Sequence, residues 1–440
     1  MAAVDPVTLE VVGNYLVSAV REMGTTLMRT AYSTLIREEM DCSTALFDPA
    51  GQLVAQADHV PSHQGTLSLA AIVAACLDNS ERLMREDLRA YPNGRYAAEG
   101  FMDGDGISDT PVRIAVTVTL DDGDVTVDFT GSSPQVRGPF NCALSSAYAS
   151  VYCAVRYMVN PLILQNEGCY RPIRLVLPER SIVKPVPPAP LSGRFHTLER
   201  IANTIVLAFN QARGVRAVGS GHAHLTSFSV SGRRPDVDAP YVFFEILGGG
   251  WGATPAGDGL DATFGLMANC LDAPIEAVEL EYPLRVERYG FLTDSAGAGR
   301  HRGGLGLRRE VRYLSGDGYF TNRSDAQKVP PAGVLGGADG APSRHWLVRA
   351  DGTEVRLPSK ATNLTIAAGD LVCLETPGGG GWGPPAEREP DAVLRDALDG
   401  KISEAAARGV YRVAVDLDGG RVDAEATAAL RAISPPPAAG

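Results

Sequence analysis

Residues 294 to 309 constrain the fold more than any other stretch of this chain. They run Asp-Ser-Ala-Gly-Ala-Gly-Arg-His-Arg-Gly-Gly-Leu-Gly-Leu-Arg-Arg, with five glycines and four arginines. Because glycine permits positive φ and close backbone approach, the segment predicts tight turns rather than a helix or a plain strand. Two hypotheses follow: a turn structure between strands, or a loop whose free N–H groups, with Arg300 and Arg302, hold an anionic group.

Further motifs follow one another in a fixed order along the chain. They include Asp41-Cys-Ser-Thr-Ala-Leu-Phe-Asp, Asp128-Phe-Thr-Gly-Ser-Ser, Gly138-Pro-Phe-Asn-Cys, Asn166-Glu-Gly-Cys-Tyr-Arg-Pro-Ile and Glu375-Thr-Pro-Gly-Gly-Gly-Gly-Trp-Gly-Pro-Pro. With the glycine-rich run, this series resembles the hydantoinase B/oxoprolinase family. That family supplies the second component of ATP-dependent hydantoinases, 5-oxoprolinases and the related acetone and acetophenone carboxylases.

The sequence departs from the family pattern at one place. In the family, a His-x-Gly segment leads into a long block with an Asn-Asp-Pro-Tyr motif and His/Asp clusters. Here residues 62 to 67, Ser-His-Gln-Gly-Thr-Leu, run almost directly into an Ala/Leu-rich helical stretch that ends near Ala90. A block on the order of a hundred residues, the size of a domain, is therefore expected to be absent after about residue 68.

Composition bounds the class of protein. A chain of 440 residues with 45% hydrophobic content predicts two or more domains with ample cores. The net charge of -12 argues against nucleic acid as a partner. No run reaches the roughly 18 apolar residues of a membrane span, and no signal peptide is recognisable, so a cytoplasmic protein is expected. The seven scattered cysteines indicate neither a disulfide framework nor a zinc ribbon.

The predicted fold class is α+β and multidomain, with a helix-rich N-terminal part that carries hairpins and a β-rich, glycine-loop C-terminal part. The expected divisions are a domain over residues 1–182, shortened near 66–71, a Pro-rich linker over 183–193, a β-rich domain over 194–387, helices over 388–412 and a flexible tail over 413–440. Proline density marks the linker, and polar composition marks the tail.

Hydrophobic periodicity predicts the individual elements. Apolar residues at spacings of three and four predict a helix from Asp5 to about residue 32, as core or subunit contact, and another over 197–211. Alternation predicts hairpins near 45–55 and 114–129. Strands are expected near 241–246, 277–289, 308–314, 346–357 and 370–374, and a helix pair over 391–408.

Two copies of Gly-Gly-Gly-Trp-Gly, at 248–252 and 379–383, raise the question of a phosphate loop. Neither is followed by Lys-Ser or Lys-Thr, and the chain contains no G-x-x-x-x-G-K-[ST], so close-packed turns with a buried tryptophan are the favoured interpretation. Asp103, Asp105 and Asp109 likewise suggest a calcium loop, but the terminal glutamate is out of register, so a turn before the following strand is favoured.

Histidines supply the candidate metal ligands. His59 and His63 lie in the segment that matches the family's approach to its active site, and a turned His-x-x-x-His with Asp41 offers a partial site for Mn, Fe or Zn. A structural role for these two histidines is the alternative. His222 and His224 would share one face of a strand, although an ordinary polar turn is favoured there. His301, between two arginines, is expected to have a lowered pKa.

The resemblance implies a subunit of an ATP-dependent enzyme that opens a cyclic amide such as a hydantoin or 5-oxoproline. A hydantoinase A-like partner would bind ATP in a hetero-oligomer and activate the amide oxygen, and this chain would supply the hydrolytic site. By that resemblance Asp41, His59 and His63 are catalytic candidates, and Arg300 and Arg302 are substrate- or anion-binding candidates. The alternatives are a ketone carboxylase subunit, or a non-catalytic scaffold that has lost the metal-binding block.

Overall fold

The computed structural model describes residues 6–31, 34–37, 42–49, 52–57, 71–234 and 237–432. The chain divides into two compact units, one formed by residues 1–213 with 266–273 and the other by residues 214–265 with 274–440. The Pro-rich stretch 183–193 lies inside the first unit. Helices and several separate sheets occur together, which confirms the predicted α+β class.

The first unit combines helices with one principal sheet. Its elements are α1 (Pro6–Thr30), α2 (Thr34–Arg37), β1 (Ala45–Phe47), β2 (Leu53–Gln56), α3 (Ala71–Leu88), β3 (Gly94–Met102), β4 (Val112–Asp121), β5 (Asp124–Asp128), α4 (Leu144–Tyr157), β6 (Ile173–Val176) and α5 (Arg194–Arg213). The long N-terminal helix and the Ala/Leu-rich helix α3 are confirmed, as are both predicted hairpins, β1–β2 and β4–β5.

The principal sheet of the first unit has the order β3-β4-β5-β6, with the last pair parallel. At the tip of the β4–β5 hairpin, Asp122 and Gly123 adopt φ of 43° and 88°. Positive φ at both central residues matches the right-handed twist of the strands and closes the turn. Helix α5 packs on β3 and β4. It is buried on nearly all sides rather than on a single stripe.

The aspartate-rich segment before β4 forms a turn, as favoured from the sequence. Asp105 Oδ1 accepts backbone hydrogen bonds from Ile107 at 3.0 Å and Ser108 at 2.7 Å, and Oδ2 accepts one from Gly138 at 2.9 Å. Burial would raise the pKa of Asp105, but these donors outweigh it and hold the pKa below its ordinary value. The Asp105 carboxylate therefore holds the turn that precedes β4 in place through these hydrogen bonds.

The second unit is mainly strand and glycine loop. Its elements are β7 (Thr226–Arg234), β8 (Ala239–Leu247), α6 (Ile275–Glu281), β9 (Leu284–Phe291), β10 (Leu307–Tyr313), β11 (Asp317–Arg323), β12 (Arg344–Val348), β13 (Glu354–Leu357), β14 (Lys360–Ala367), β15 (Leu371–Glu375), α7 (Pro390–Leu398), α8 (Glu404–Gly409), β16 (Ala414–Asp416), β17 (Arg421–Asp423) and α9 (Ala424–Ala432).

Two sheets form the framework of the second unit, ordered β13-β12-β15-β10-β9 and β14-β11-β7-β8. A buried ion pair links them: Arg309 Nη2 on β10 lies 2.6 Å from Glu245 Oε1 on β8. Most predicted strands are confirmed, but the strand expected over 277–289 is wrong in its first half. Residues 275–281 form α6, because an apolar alternation as short as this also fits one turn or two of helix.

The C-terminal helix pair is confirmed as α7 and α8. Residues 413–432, expected as part of a flexible tail, instead form a β-hairpin and helix α9. Val413 is fully buried with Tyr411, and Thr427 Oγ1 accepts a hydrogen bond from the Ala414 N–H at 3.0 Å. The segment is not polar as expected, since 11 of its 20 residues are alanine, valine or leucine, and Val413 anchors it against Val393 and Ala407 of the helix pair.

All seven cysteines lie in the described residues and none forms a disulfide; Cys42, Cys142, Cys169, Cys270 and Cys373 are buried. Burial raises the pKa of Cys142 to about 12, so this thiol is held protonated. Among the described helices, none combines the length and the apolar character that a membrane crossing requires.

Candidate functional site

The glycine-rich segment between β9 and β10 packs against both Gly-Gly-Gly-Trp-Gly runs. The Gly304 N–H donates to Trp251 O at 2.7 Å, and the Gly379 N–H donates to Gly304 O at 2.9 Å. The Gly297 N–H in turn donates to Gly379 O at 2.8 Å. Three glycine segments distant in sequence thus form one core of stacked backbone.

Only glycine fits at these crossings. A Cβ built on Gly303 would lie 1.9 Å from Gly379 O, and one on Gly250 would lie 2.0 Å from Gly304 O. Both distances are far below van der Waals contact with a carbonyl that is held in place. The interpretation of the two runs as close-packed turns is therefore confirmed, but the expected burial of the tryptophans is not, because Trp251 and Trp382 are both only half-buried.

The backbone amides of the arginine-containing segment are engaged within the protein. Every N–H from Arg300 to Leu307 donates to a protein acceptor, including Asp258 Oδ1 for Arg302 and Asp261 Oδ1 for Leu305, both at 2.9 Å. These amides are therefore not free to form the anion cradle that the sequence suggested. Any anion recognition here depends on side chains.

Arg302 lies at the centre of a buried charge cluster. Its guanidinium donates to Asp261 Oδ1 at 2.7 Å and to Asp396 Oδ1 at 3.2 Å, and the residue is only 3% exposed. Burial alone would lower the pKa of Arg302, but the carboxylates outweigh it and raise that pKa. Arg302 therefore holds the glycine-rich segment to the loop of Asp261 and to helix α7. Anion binding by Arg302 stays a prediction.

Arg388 extends the same cluster toward the surface. It donates to both oxygens of Asp258 at 2.6 Å and to Asp396 Oδ2 at 2.6 Å. Burial would raise the pKa of Asp258, but the hydrogen bonds and charge of Arg388 hold it below its ordinary value. Tyr411 is buried nearby, and burial raises the pKa of its hydroxyl. The cluster joins a loop, the glycine segment and helix α7.

A solvent-open pocket of about 240 Å³ lies against this cluster within the second unit. It is lined by Gly257, Asp258, Arg300, His301, Glu387, Arg388, Glu389 and Ala392. The Arg300 side chain is 53% exposed, and its Nη1 lies 4.0 Å from Glu387 Oε2. Arg300 is thus placed where a solute can reach it, in contrast to Arg302.

His301 stands in the same pocket beside an aromatic ring. Its ring centroid lies 5.6 Å from that of Trp382, and its Nδ1 lies 3.9 Å from Asp258 Oδ1. Burial lowers the pKa of His301, which the charges of Arg300 and Arg388 reinforce and Asp258 opposes. The net direction agrees with the lowered pKa expected from the sequence, so the imidazole is mainly neutral near pH 7.

The pocket therefore presents a long cationic side chain, a neutral imidazole and an ionised carboxylate in a fixed position. Such a set can orient a small polar solute and accept a proton from it. Within the described ranges, no group of three or more His, Cys, Asp or Glu side chains is arranged to hold a metal ion. Asp41, His59 and His63 lie outside the described residues.

The His222-x-His224 pair precedes strand β7 rather than lying on it. Both residues are buried, with ring centroids 5.8 Å apart in an edge-to-face arrangement. His224 Nδ1 lies 2.7 Å from His222 O, and its Nε2 lies 3.1 Å from Thr226 Oγ1. The favoured interpretation, a polar turn, agrees with these contacts, although both side chains are buried.

Sequence reasoning did not single out Asp258, Arg388 or Asp396, which complete the cluster. Asp258 and Arg388 are 130 positions apart, and no local pattern marks either one. The Gly-Asp-Gly-Leu-Asp run at 257–261 was the one local signal of a polar site, because it places two aspartates close together among glycine and apolar residues.

Comparison with known proteins gives the context of this site. The family model for hydantoinase B/oxoprolinase matches residues 5–72 and 68–385. The chain belongs to the hydantoinase B/oxoprolinase family. The two matched segments meet where the sequence predicted an internal block to be absent. The family signature around residues 294–306 is thus the glycine core described above, and the pocket lies at its surface.

Individual relatives support this family assignment. A Pseudomonas sp. (strain NS671) protein, described as the B component of a D-/L-hydantoinase, is 37% identical over 369 residues, which cover 81% of this chain and 62% of that protein. The ATP-dependent caprolactamase structure from Pseudomonas jessenii superposes with a TM-score of 0.72 at 29% identity, covering 82% of this chain and 64% of that one. The chain thus spans less than two thirds of the length of these relatives.

A second solved structure, nucleotide-free acetone carboxylase, superposes with a TM-score of 0.74 at 21% identity. The match covers 82% of this chain and 55% of that chain. At this identity the likeness shows a shared fold. The same fold is therefore found in a protein named as a caprolactamase and in one named as an acetone carboxylase.

Proposed function

We propose that this chain is the hydantoinase B-type subunit of an ATP-dependent enzyme that hydrolyses a cyclic amide of the hydantoin or 5-oxoproline type. The observation that carries the proposal is the likeness, over about four fifths of the chain, to the B component of a hydantoinase and to an ATP-dependent caprolactamase. Both names refer to the opening of a cyclic amide. The second relative's name adds the dependence on ATP.

The partner is the next part of the proposal. The chain contains no phosphate-loop motif, and the glycine segments pack against one another through their own amides. We therefore assign ATP binding to a hydantoinase A-like partner in a cytoplasmic hetero-oligomer. Phosphorylation of the amide oxygen by that partner would turn a poor electrophile into one that water attacks.

Within the pocket, Arg300 is proposed to contact the anionic group of the activated substrate. Its half-exposed guanidinium can move toward a solute, because its nearest carboxylate oxygen is 4.0 Å away. His301 is proposed to accept a proton, since its lowered pKa leaves the imidazole neutral at pH 7. Asp258, held by Arg388, keeps a fixed negative charge beside that imidazole.

Metal chemistry at Asp41, His59 and His63 is retained as a separate proposal, with Mn, Fe or Zn as the candidates. No step of the pocket chemistry is derived through a metal. Replacement of both histidines by alanine separates the two roles. Loss of stoichiometric metal at an unchanged melting temperature supports coordination, whereas a loss of stability without loss of metal supports a structural role.

A scaffold function is the second candidate, and the internal block expected to be absent after about residue 68 favours it. The two matched segments of the family model meet at that place. A subunit without the absent block would keep the glycine core and its assembly surfaces and lose turnover. A ketone carboxylase subunit is the remaining alternative and shares the fold.

Co-expression with a hydantoinase A-like protein tests these alternatives. ATP hydrolysis is measured with hydantoin, 5-oxoproline, caprolactam, or acetone with bicarbonate, for the complex and for the partner alone. Hydrolysis stimulated by a cyclic amide only in the complex supports the proposal. Equal rates with and without this chain support the scaffold, and acetone-dependent turnover supports the carboxylase.

The Arg300→Gln variant tests the pocket in the same assay, with Arg82→Gln as the matched control. The two side chains are similarly exposed, 53% for Arg300 and 56% for Arg82, and Arg82 lies in the other unit. Loss of one charge-assisted contact to substrate is expected to raise KM about tenfold or more for Arg300→Gln. The control is expected to leave KM unchanged. Equal effects of the two would remove Arg300 from the site.

A further inference from the structure

The four-stranded sheet β14-β11-β7-β8 carries a small polar pocket on a side that is open to solvent. Its volume is about 70 Å³, and it is lined by Ser227, Phe228, Ser229, Phe244, Thr321 and Arg323. Pockets that take organic ligands usually exceed about 300 Å³. The size therefore suits a small ion, and none of the lining residues is shared with the pocket of Arg300.

The register of β7 and β11 places the polar side chains of this pocket on one face of the sheet. Ser227 on β7 lies opposite Arg323 on β11. Two residues further along β7, Ser229 lies opposite Thr321. Opposite residues project to the same side, and side chains alternate with a period of two, so all four share a face. Their Cβ atoms are about 5 Å apart across the strands and about 7 Å apart along them.

The hydroxyl groups of this set have protons to donate. Within the described part of the chain, neither the Ser227 nor the Ser229 side chain makes a hydrogen bond. Thr321 Oγ1 accepts a hydrogen bond from the Asn363 N–H at 3.0 Å and keeps its own proton. Ser227 is only 6% exposed, so little water reaches its hydroxyl. An acceptor bound in the pocket would therefore satisfy a nearly buried donor.

Arg323 gives the pocket a positive charge. None of the six residues that line the pocket carries a carboxylate. Burial lowers the pKa of the Arg323 guanidinium, whereas at Arg302 and Arg388 the neighbouring carboxylates outweigh burial and raise the pKa. An arginine remains protonated despite such a shift. A bound anion would therefore offset the cost of removing this cation from water.

We propose that this pocket binds a tetrahedral oxyanion, either inorganic phosphate or the phosphoryl group of a larger molecule. The planar guanidinium of Arg323 pairs with two oxygens of such an ion. The hydroxyls of Ser227 and Ser229 donate to the oxygens that remain. A carboxylate has only two oxygens, which the guanidinium alone would engage, so it would leave the hydroxyls unused. The inference is independent of the reaction that the chain serves.

Isothermal titration of the full chain with inorganic phosphate, at low chloride, tests the proposal. One ion per chain is expected to bind. Ser227→Ala, which removes one hydroxyl and little volume, is expected to weaken binding about tenfold. Ser231→Ala is the matched control, because Ser231 lies on the same face of β7 but opposite Tyr319, outside the pocket. The control is expected to leave the affinity unchanged.

Replacement of the cation gives a second pair of variants. Arg323→Gln is expected to weaken phosphate binding at least about tenfold, because it removes a charge-assisted contact. Arg234→Gln is its control, since Arg234 is also on this sheet but lies 3.6 Å from Glu281 Oε2, outside the pocket. The melting temperature of each variant shows whether it is folded. Phosphate is expected to raise the melting temperature of wild type and of both controls.

Titrations with glycerol phosphate and with acetate identify the class of anion. Tighter binding of phosphate than of glycerol phosphate supports the free ion, and the reverse order supports a phosphoryl group on a larger molecule. The proposal is overturned if phosphate gives no heat of binding, or if acetate binds as tightly as phosphate. Equal losses in Ser227→Ala and Ser231→Ala would also overturn it. So would binding that Arg300→Gln abolishes and Ser227→Ala leaves intact, because the anion would then occupy the other pocket.

Discussion

Arg388 binds Asp258 through two hydrogen bonds of 2.6 Å, in which Nη1 donates to Oδ1 and Nη2 donates to Oδ2. The same guanidinium donates to Asp396 on α7. Residues 130 positions apart are thereby joined at the wall of the pocket that holds Arg300 and His301. The geometry of the pocket thus depends on a segment C-terminal to the glycine core.

Replacement of Arg388 by methionine is expected to destabilise the protein by about 3 kcal/mol, because Asp396 loses a partner while it is buried. Arg421→Met is the control. Arg421 pairs with Asp416 at 3.0 Å but is 77% exposed, so about 0–1 kcal/mol is expected there. Urea unfolding measures both. A change of similar size in the two variants would contradict the role assigned to Arg388.

The contribution of Asp258 to the free energy of unfolding is expected to decrease at acid pH. Its pKa in the folded chain is lowered from the ordinary value of 3.8, so its stabilising effect is fully present above that value. The effect is lost as the pH falls through the lower folded pKa. Asp258→Asn removes this dependence. Unfolding curves between about pH 2 and pH 7 should therefore converge for wild type and variant at the acid end.

Gly303→Ala is expected to cost at least about 2 kcal/mol, because its Cβ would lie 1.9 Å from Gly379 O within stacked backbone. Gly290→Ala is the control, since a Cβ at Gly290 meets no atom within 4 Å. That change is expected to be within about 1 kcal/mol of neutral. Thermal unfolding distinguishes the two, and equal stability of both variants would refute the close packing.

His301 is expected to titrate below 6.5, its ordinary value. Because the folded state disfavours the charged imidazole, His301 opposes folding as the pH drops below 6.5 and has no effect well above it. Its protonation should alter the fluorescence of Trp382, whose ring centroid is 5.6 Å away. The difference titration between wild type and His301→Gln gives the midpoint. A midpoint at or above 6.5 would show that Asp258 dominates.

The isolated chain is expected not to bind ATP. No lysine-containing phosphate loop is present in the sequence, and the amides from Arg300 to Leu307 already have acceptors within the protein. Isothermal titration of the purified chain with Mg-ATP should give no heat of binding. A dissociation constant in the micromolar range would move nucleotide binding onto this chain and remove the need for an ATP-binding partner.

Local patterns were sufficient for elements whose partners are close in sequence. The apolar spacing of α1 and the turn at Asp122 and Gly123 determine a helix and a hairpin, because each depends on residues within a few positions. Residues 275–281 and 413–432 were harder to predict. The alternation over 275–281 fits a short helix as well as a strand. The order of residues 413–432 depends on Val413, which packs against Val393 and Ala407 of the helix pair.

The sequence by itself determined the family, through the order of its motifs, and the need for glycine at the crossings of residues 294–306. Tertiary structure decided how the two neighbouring arginines differ. Arg302 is enclosed by Asp261 and Asp396, whereas Arg300 faces the pocket. An arginine can be buried only where carboxylates pair with it, and here those carboxylates come from distant segments of the chain. The spacing of residues within the glycine-rich segment therefore cannot predict that Asp396 will lie beside Arg302 rather than Arg300.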